Sequence, residues 1–182
     1  MAADRLSQAE HDEAAYPLLV TTSPELAAAV VHQLAEQLAS LPRRGIAEAA
    51  LRSNGWALVV SSRTALAEVA TRLAVEHVAV QTREPRALAE GIRAAGALFI
   101  GGMTPEAAGD YVAGPSHVLP TGGAARYGSP LGVYDFMTRT SLIEYSRAAL
   151  AGMAPHIEAL ATAEGLDAHA RAVQIRTAND SR

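Results

Sequence analysis

The sequence predicts an α/β fold: a mostly parallel sheet with flanking helices, followed by a small C-terminal helical tail domain. Three observations lead there. Short apolar runs at residues 18–22, 56–61, 77–81 and 97–100 read as strands. Most are separated by helical stretches of about ten residues or more, the spacing that lets successive strands run parallel. After Gly101-Gly102 the alternation stops, and residues 147–176 read as helix broken at Glu164-Gly165-Leu166.

Each element has a local cause. Residues 2–12 form a helix that ends before Tyr16-Pro17. Ser23-Pro24-Glu25 supplies an N-cap, a proline at the first helical position and an acid in the first turn. The helix it opens runs to about Leu41 and stops at Pro42. A helix over 46–52 ends at Asn54-Gly55, a left-handed cap signal. Helices are expected over 64–74 and 85–95, the second closed by Gly96, and Thr104-Pro105-Glu106 opens a short one. Residues 114–130 form a Gly/Pro-rich loop whose Val118, Leu119 and Tyr127 argue for order. A short helix over 131–138 and a strand-like stretch over 141–145 follow. The organisation expected is an α/β domain over 1–131 and a mainly helical tail over 132–182.

Composition excludes several functions. The net charge is −4, and all fifteen basic residues are arginines without a run longer than Arg43-Arg44. That is not a nucleic-acid-binding surface. Without cysteine there is no disulfide frame, thiolate zinc site or cysteine nucleophile. No apolar stretch approaches a membrane span, and the first residues lack the apolar core of a signal peptide. A soluble, cytoplasmic protein with no membrane or nucleic-acid partner is expected, and its chemistry must come from its histidines and carboxylates.

Gln8 and His11 lie three apart on one helix face, as two donors to one metal ion or as a solvated helix end. Glu76-His77 stands at a helix-to-strand turn, as an acid–base pair or a surface pair. Asp110 closes the short helix and His117 lies in the Gly/Pro-rich loop. A carboxylate with imidazoles is a zinc-compatible set, and a turn aspartate with a loop-bonded histidine is the plainer alternative. Near the end, Glu164 or Asp167 reads as a cap of the last helix, with His169 on its first turn. His32 and His156 take no role.

Leu6-Ser7-Gln8-Ala9-Glu10-His11-Asp12, Glu76-His77, Gly109-Asp110-Tyr111, the stretch from Ser116 to Gly123, Val133-Tyr134-Asp135-Phe136 and Glu164-Gly165-Leu166-Asp167-Ala168-His169 resemble, in order and spacing, the L-histidinol dehydrogenase family. The resemblance covers essentially the whole chain. It implies a zinc-dependent enzyme that oxidises L-histidinol through the aldehyde to L-histidine with reduction of two NAD⁺. It makes Gln8, His11, Asp110 and His169 the zinc ligands and Glu76 and His77 the catalytic acid–base pair. These residues except Glu76, together with His117 and Glu164, become the substrate-binding set. It also implies a homodimer whose sites are shared through the tail.

The family's chains are longer, and the part carrying much of the Rossmann-like NAD-contacting domain is expected to be missing here. No Gly-x-Gly-x-x-Gly replaces it, so the isolated chain is expected to be inactive. Val75 stands before Glu76-His77 where the family often has proline, and Ser116 where asparagine is usual. The alternatives are a non-catalytic zinc-binding or dimerisation fragment, or a superfamily relative oxidising a sulfonated diol.

Overall fold

The computed structural model describes residues 1–178. The chain divides into two compact units, Met1–Phe136 and Met137–Arg182.

In the first unit, α1 (Ala2–His11) buries Ala2, Leu6 and Ala9 at helical spacing. Ala2 and Leu6 pack with Val30 and Leu34 of α2 (Pro24–Leu38). Ala9 packs with Ala47 and Ala50 of α3 (Arg44–Asn54), where small side chains allow close helix approach. Asp4 and Gln8, four apart, share another face of α1.

β1 (Leu18–Thr21) pairs in parallel with β2 (Trp56–Val59), and β3 (His77–Val80) with β4 (Ala97–Ile100). The α/β class with parallel strands is therefore present. The strands form two separate two-stranded pairs among the described residues. β2 has no second neighbour and its residues are exposed, so the first pair ends there.

Side-chain caps fall where serines precede helices. Ser23, Ser62 and Ser146 accept from the amides of Leu26, Ala65 and Ala149 at 3.1, 3.1 and 3.2 Å. Other boundaries differ from the expected ones. Gly55 is extended, with φ −81°, not left-handed. The left-handed cap belongs to Ala74, φ 50°, after α4 (Arg63–Leu73). Ala74 is fully buried and donates to the Ala70 carbonyl at 3.0 Å, which offsets the roughly 1–2 kcal/mol of that conformation. α5 (Pro85–Ala89) stops six residues short of the expected end. The Gly91 and Ile92 amides bond three residues back, to Leu88 and Ala89, which closes a turn. A Cβ at Gly91 would stand 3.1 Å from Ala67 Cβ, so the turn packs tightly on α4. The 131–138 stretch holds only a 3₁₀ turn at Val133–Phe136, and residues 141–145 form no strand.

The second unit contains α7 (Arg147–Ala163) and α8 (Asp167–Thr177). They bury Ala154, Ala161 and Ala170, and Gln174 donates to Glu158 at 3.1 Å. Gly165, φ 71°, turns the chain between them. Neither Glu164 nor Asp167 caps α8: Leu166 holds the N-cap position with no side-chain bond, because Asp167 already lies inside the first turn. Among the described residues no helix is long and apolar enough to cross a membrane.

Candidate active site

Strand alternation sorts β3 and β4 onto two faces. Val78, Val80 and Ile100 pack with Ala67, Leu88 and Ala89 from α4 and α5. His77 and Ala79 take the other face, beside their register partners Ala97 and Phe99. There the His77 ring lies 5.8 Å from that of Phe99, tilted by 41°.

The helix that covers Phe99 is α6 (Ala107–Tyr111). Its approach depends on Gly109, where a Cβ would stand 2.9 Å from the Phe99 ring edge. Glu106, immediately before α6, reaches His77: its Oε1 is 3.7 Å from Nδ1, with the side chains 13 % and 14 % exposed. Nδ1 itself is buried and has no hydrogen-bond partner.

Glu76 is fixed by its backbone. Its carbonyl accepts from Ala97 at 2.7 Å at the start of the β3–β4 pairing. A Cβ at Gly96 would lie 2.5 Å from that same oxygen, with Glu76 backbone carbons at 3.2 Å behind it. Gly96→Ala is expected to destabilise the protein by about 1–3 kcal/mol, since backbone cannot yield as a side chain does. Urea unfolding of the variant checks this.

A cavity of about 710 Å³ opens here, with Asp4, Arg5 and Gln8 of α1, Glu76, His77 and Glu106 on its wall. Glu76 and His77 sit at the amino end of β3, whereas α/β sheets commonly bind ligands at the carboxyl ends. The β4–α6 connection folds back across the sheet face and carries Glu106 to them.

Burial pushes the Glu106 carboxyl up to about 7, and the neighbouring charges of Asp110, Asp4 and Glu76 push in the same direction. Arg5, only 8 % exposed, donates through Nε to the Pro17 carbonyl at 3.2 Å, while its buried Nη1 has no partner. Burial pulls its pKa down. Gln81 donates to Asp4 at 3.1 Å.

Of the residues singled out in the sequence, the cavity brings together Gln8, Glu76 and His77. His11 ends α1 and is exposed, its carbonyl accepting from Arg43 at 3.5 Å. Asp110 in α6 and His117 in the loop are exposed and do not line the cavity. Glu164, at the end of α7, and His169, on the first turn of α8, are exposed in the second unit. Sequence reasoning missed Glu106 and Arg5. The available signal for Glu106 was its position four residues before Asp110, one helical turn away.

Among the described residues no three His, Asp or Glu side chains are gathered as a metal site. The chemistry of the donors nevertheless fits zinc. Gln8, His11, Asp110 and His169 offer only nitrogen and oxygen, and the acids that drive Glu106 upward make a negative field that a divalent cation relieves.

A histidine beside two carboxylates, on the wall of a cavity in a parallel α/β frame, defines an acid–base site. The family model for histidinol dehydrogenase matches residues 1–177. The chain belongs to the histidinol dehydrogenase family. It is 52 % identical over 176 residues to the histidinol dehydrogenase of Heliobacterium mobile and 48 % identical to that of Lactiplantibacillus plantarum. Each alignment covers 97 % of this chain and 41 % of the relative. The crystal structure of histidinol dehydrogenase from Elizabethkingia anophelis is similar with a TM-score of 0.87 and 34 % identity, over 96 % of this chain and 40 % of that one. The chain thus spans about two-fifths of the length of the relatives it matches.

Proposed function

We propose that this chain supplies the zinc-binding, acid–base and substrate-holding part of a cytoplasmic NAD-dependent enzyme that oxidises L-histidinol to L-histidine. The observation that carries this reading is the grouping of Glu76, His77 and Gln8 on one cavity wall in a chain whose curated relatives are histidinol dehydrogenases.

Gln8, His11, Asp110 and His169 are the residues that would hold the metal. When bound, zinc supplies orientation and polarisation of the amino alcohol, and NAD supplies the hydride acceptor. His77 takes the hydroxyl proton as the alcohol becomes the aldehyde. Glu76 takes a proton from the water that adds to the aldehyde, and His77 serves again as the hydrate is oxidised. His117 and Glu164 hold substrate. No residue of this chain is assigned to NAD.

The enzyme works as a homodimer in which His169 and Glu164 of one copy complete the site of the other. Exposed Leu142, Ile143, Leu160 and Ile175 in the second unit support a partner surface. Sedimentation of the zinc-loaded protein tests this: a monomer with His169 on the metal overturns the sharing.

The test of function joins this chain to the remaining portion of a relative and measures histidinol-dependent NADH formation. Turnover of a sulfonated diol in place of histidinol would reassign the substrate. Asp110→Asn is expected to lower zinc affinity by at least about tenfold, read as zinc retained after dialysis. Undiminished zinc and turnover in that variant would remove Asp110 from the site.

A second reading is a zinc-binding or dimerisation fragment without catalysis, favoured by the two-fifths coverage of the relatives. It predicts zinc binding by this chain with no NADH formed, even when the remaining portion is supplied.

A further inference from the structure

The cavity holds one carboxylate to which the proposed chemistry gives no task. Glu106 is nearly buried, and its Oε1 is the carboxylate oxygen standing 3.7 Å from His77 Nδ1. Nδ1 is sealed from solvent and lacks a hydrogen-bond partner. A buried ring nitrogen without a partner is unfavourable, so whatever charged or polar group stands beside it decides whether it carries hydrogen. The ring is also confined by packing. Phe99 lies against it, and Gly109 lets α6 press on Phe99 while the preceding residues bring Glu106 in.

We propose that Glu106 is the positioning residue for His77: its carboxylate accepts the Nδ1–H and thereby fixes the tautomer that leaves Nε2 unprotonated toward the cavity. A general base must present its lone pair to the substrate, and an imidazole whose other nitrogen is held in this way presents it from a single tautomer. Glu106 touches neither substrate nor the reacting atoms and acts through the histidine.

The other groups around the pair fit the arrangement. Asp4 faces it from α1, Glu76 from the start of β3 and Asp110 from α6. Their combined charge favours a proton on Glu106, with burial the largest contribution. A cation entering the cavity, either a metal ion or the ammonium of the substrate, offsets that charge and returns Glu106 to the carboxylate form that accepts from Nδ1. The positioning bond is therefore strongest when the site is loaded.

The inference rests on the acid–base role proposed for His77, but its first test does not. Ring-nitrogen ¹⁵N shifts of His77 in this 182-residue chain, at pH 8 with and without zinc, report the tautomer directly. The expected result is the Nδ1–H form in the natural protein and a shift toward Nε2–H in Glu106→Leu. An unchanged tautomer in the folded Leu variant overturns the proposal. Should Glu106→Leu fail to fold, Glu106→Gln and Glu106→Asp replace it in the kinetic arm.

In the enzyme completed by the remaining portion of a relative, Glu106→Gln is expected to lower kcat about 10- to 100-fold with KM for histidinol changed less than about threefold. Glu106→Asp is expected to recover part of the loss. In a His77→Asn background Glu106→Gln is expected to have no further effect on kcat. A loss in KM alone, or one that persists in that background, overturns the proposal. Absence of histidinol oxidation in the unaltered protein would instead remove the acid–base reading, leaving the tautomer result to stand or fall by itself.

Discussion

Replacing His77 with Asn in an enzyme containing this chain is expected to lower kcat by about 10²- to 10⁴-fold, the range that a positioned proton-transfer group contributes. Asparagine keeps a polar, planar end at the first position of β3, but it cannot accept a proton at neutral pH. The backbone pairing of residue 77 with Ala97 does not depend on the side chain. What is lost structurally is the ring contact with Phe99, worth about 1 kcal/mol. Stability and activity therefore separate. The variant should unfold at nearly the natural urea concentration while its rate of NADH formation collapses. The deficit should appear in single-turnover measurements as well as in steady state, because proton removal accompanies the hydride step. A variant with near-normal turnover would transfer the base role from His77 to another group on the cavity wall.

Stability should fall as pH rises from about 4.5 to above 7, and Glu106→Gln should abolish that component. The sign follows from the direction of the shift. The Glu106 carboxyl is raised from 4.5 to about 7 in the folded protein, so the folded state holds its proton more tightly than the unfolded chain does. The resulting stabilisation is complete below about pH 4.5 and is lost as pH rises through about 7. At about 1.4 kcal/mol per unit, the full swing is of the order of 3 kcal/mol. Above pH 7 the protein must keep a buried, ionised carboxylate near Asp110, Asp4 and Glu76. Glutamine is neutral at every pH. Glu106→Gln is thus expected to match the natural protein at pH 4.5 and to exceed it by up to about 3 kcal/mol at pH 8. Urea denaturation followed by circular dichroism, in metal-free buffer at both pH values, measures the difference. An equal difference at both would mean that Glu106 is not strained by its neighbours. Extra stability gained by removing a buried charge alongside a loss of turnover is the usual mark of a group kept for function.

The residue types needed for proton transfer were legible in the sequence because they are adjacent. Glu76-His77 is a pair whatever the fold, and Gln8 with His11 needs only a helix to share a face. Caps were legible for the same reason: Ser23-Pro24-Glu25 acts over three residues, and the Ser23 hydroxyl does accept from the Leu26 amide. Helix ends were less so. The end of α5 is set by the packing of Gly91 against Ala67, more than twenty positions away, and the left-handed residue is a buried alanine instead of the expected glycine. The short stretch over 141–145 has strand-like composition but no neighbour to pair with, and composition alone does not make a strand.

Sequence alone determined the α/β class, the parallel strands, the histidine and carboxylates available for chemistry, and the family to which they point. Tertiary structure alone decided that Glu106 meets His77, that Arg5 is buried with an unsatisfied nitrogen, and that the site lies at the amino end of β3. The division has one physical origin. Propensities, caps and adjacent pairs act over a few bonds, whereas a meeting between residues 77 and 106 depends on strand register, on the face each side chain takes, and on a glycine at 109 that lets a helix close over Phe99.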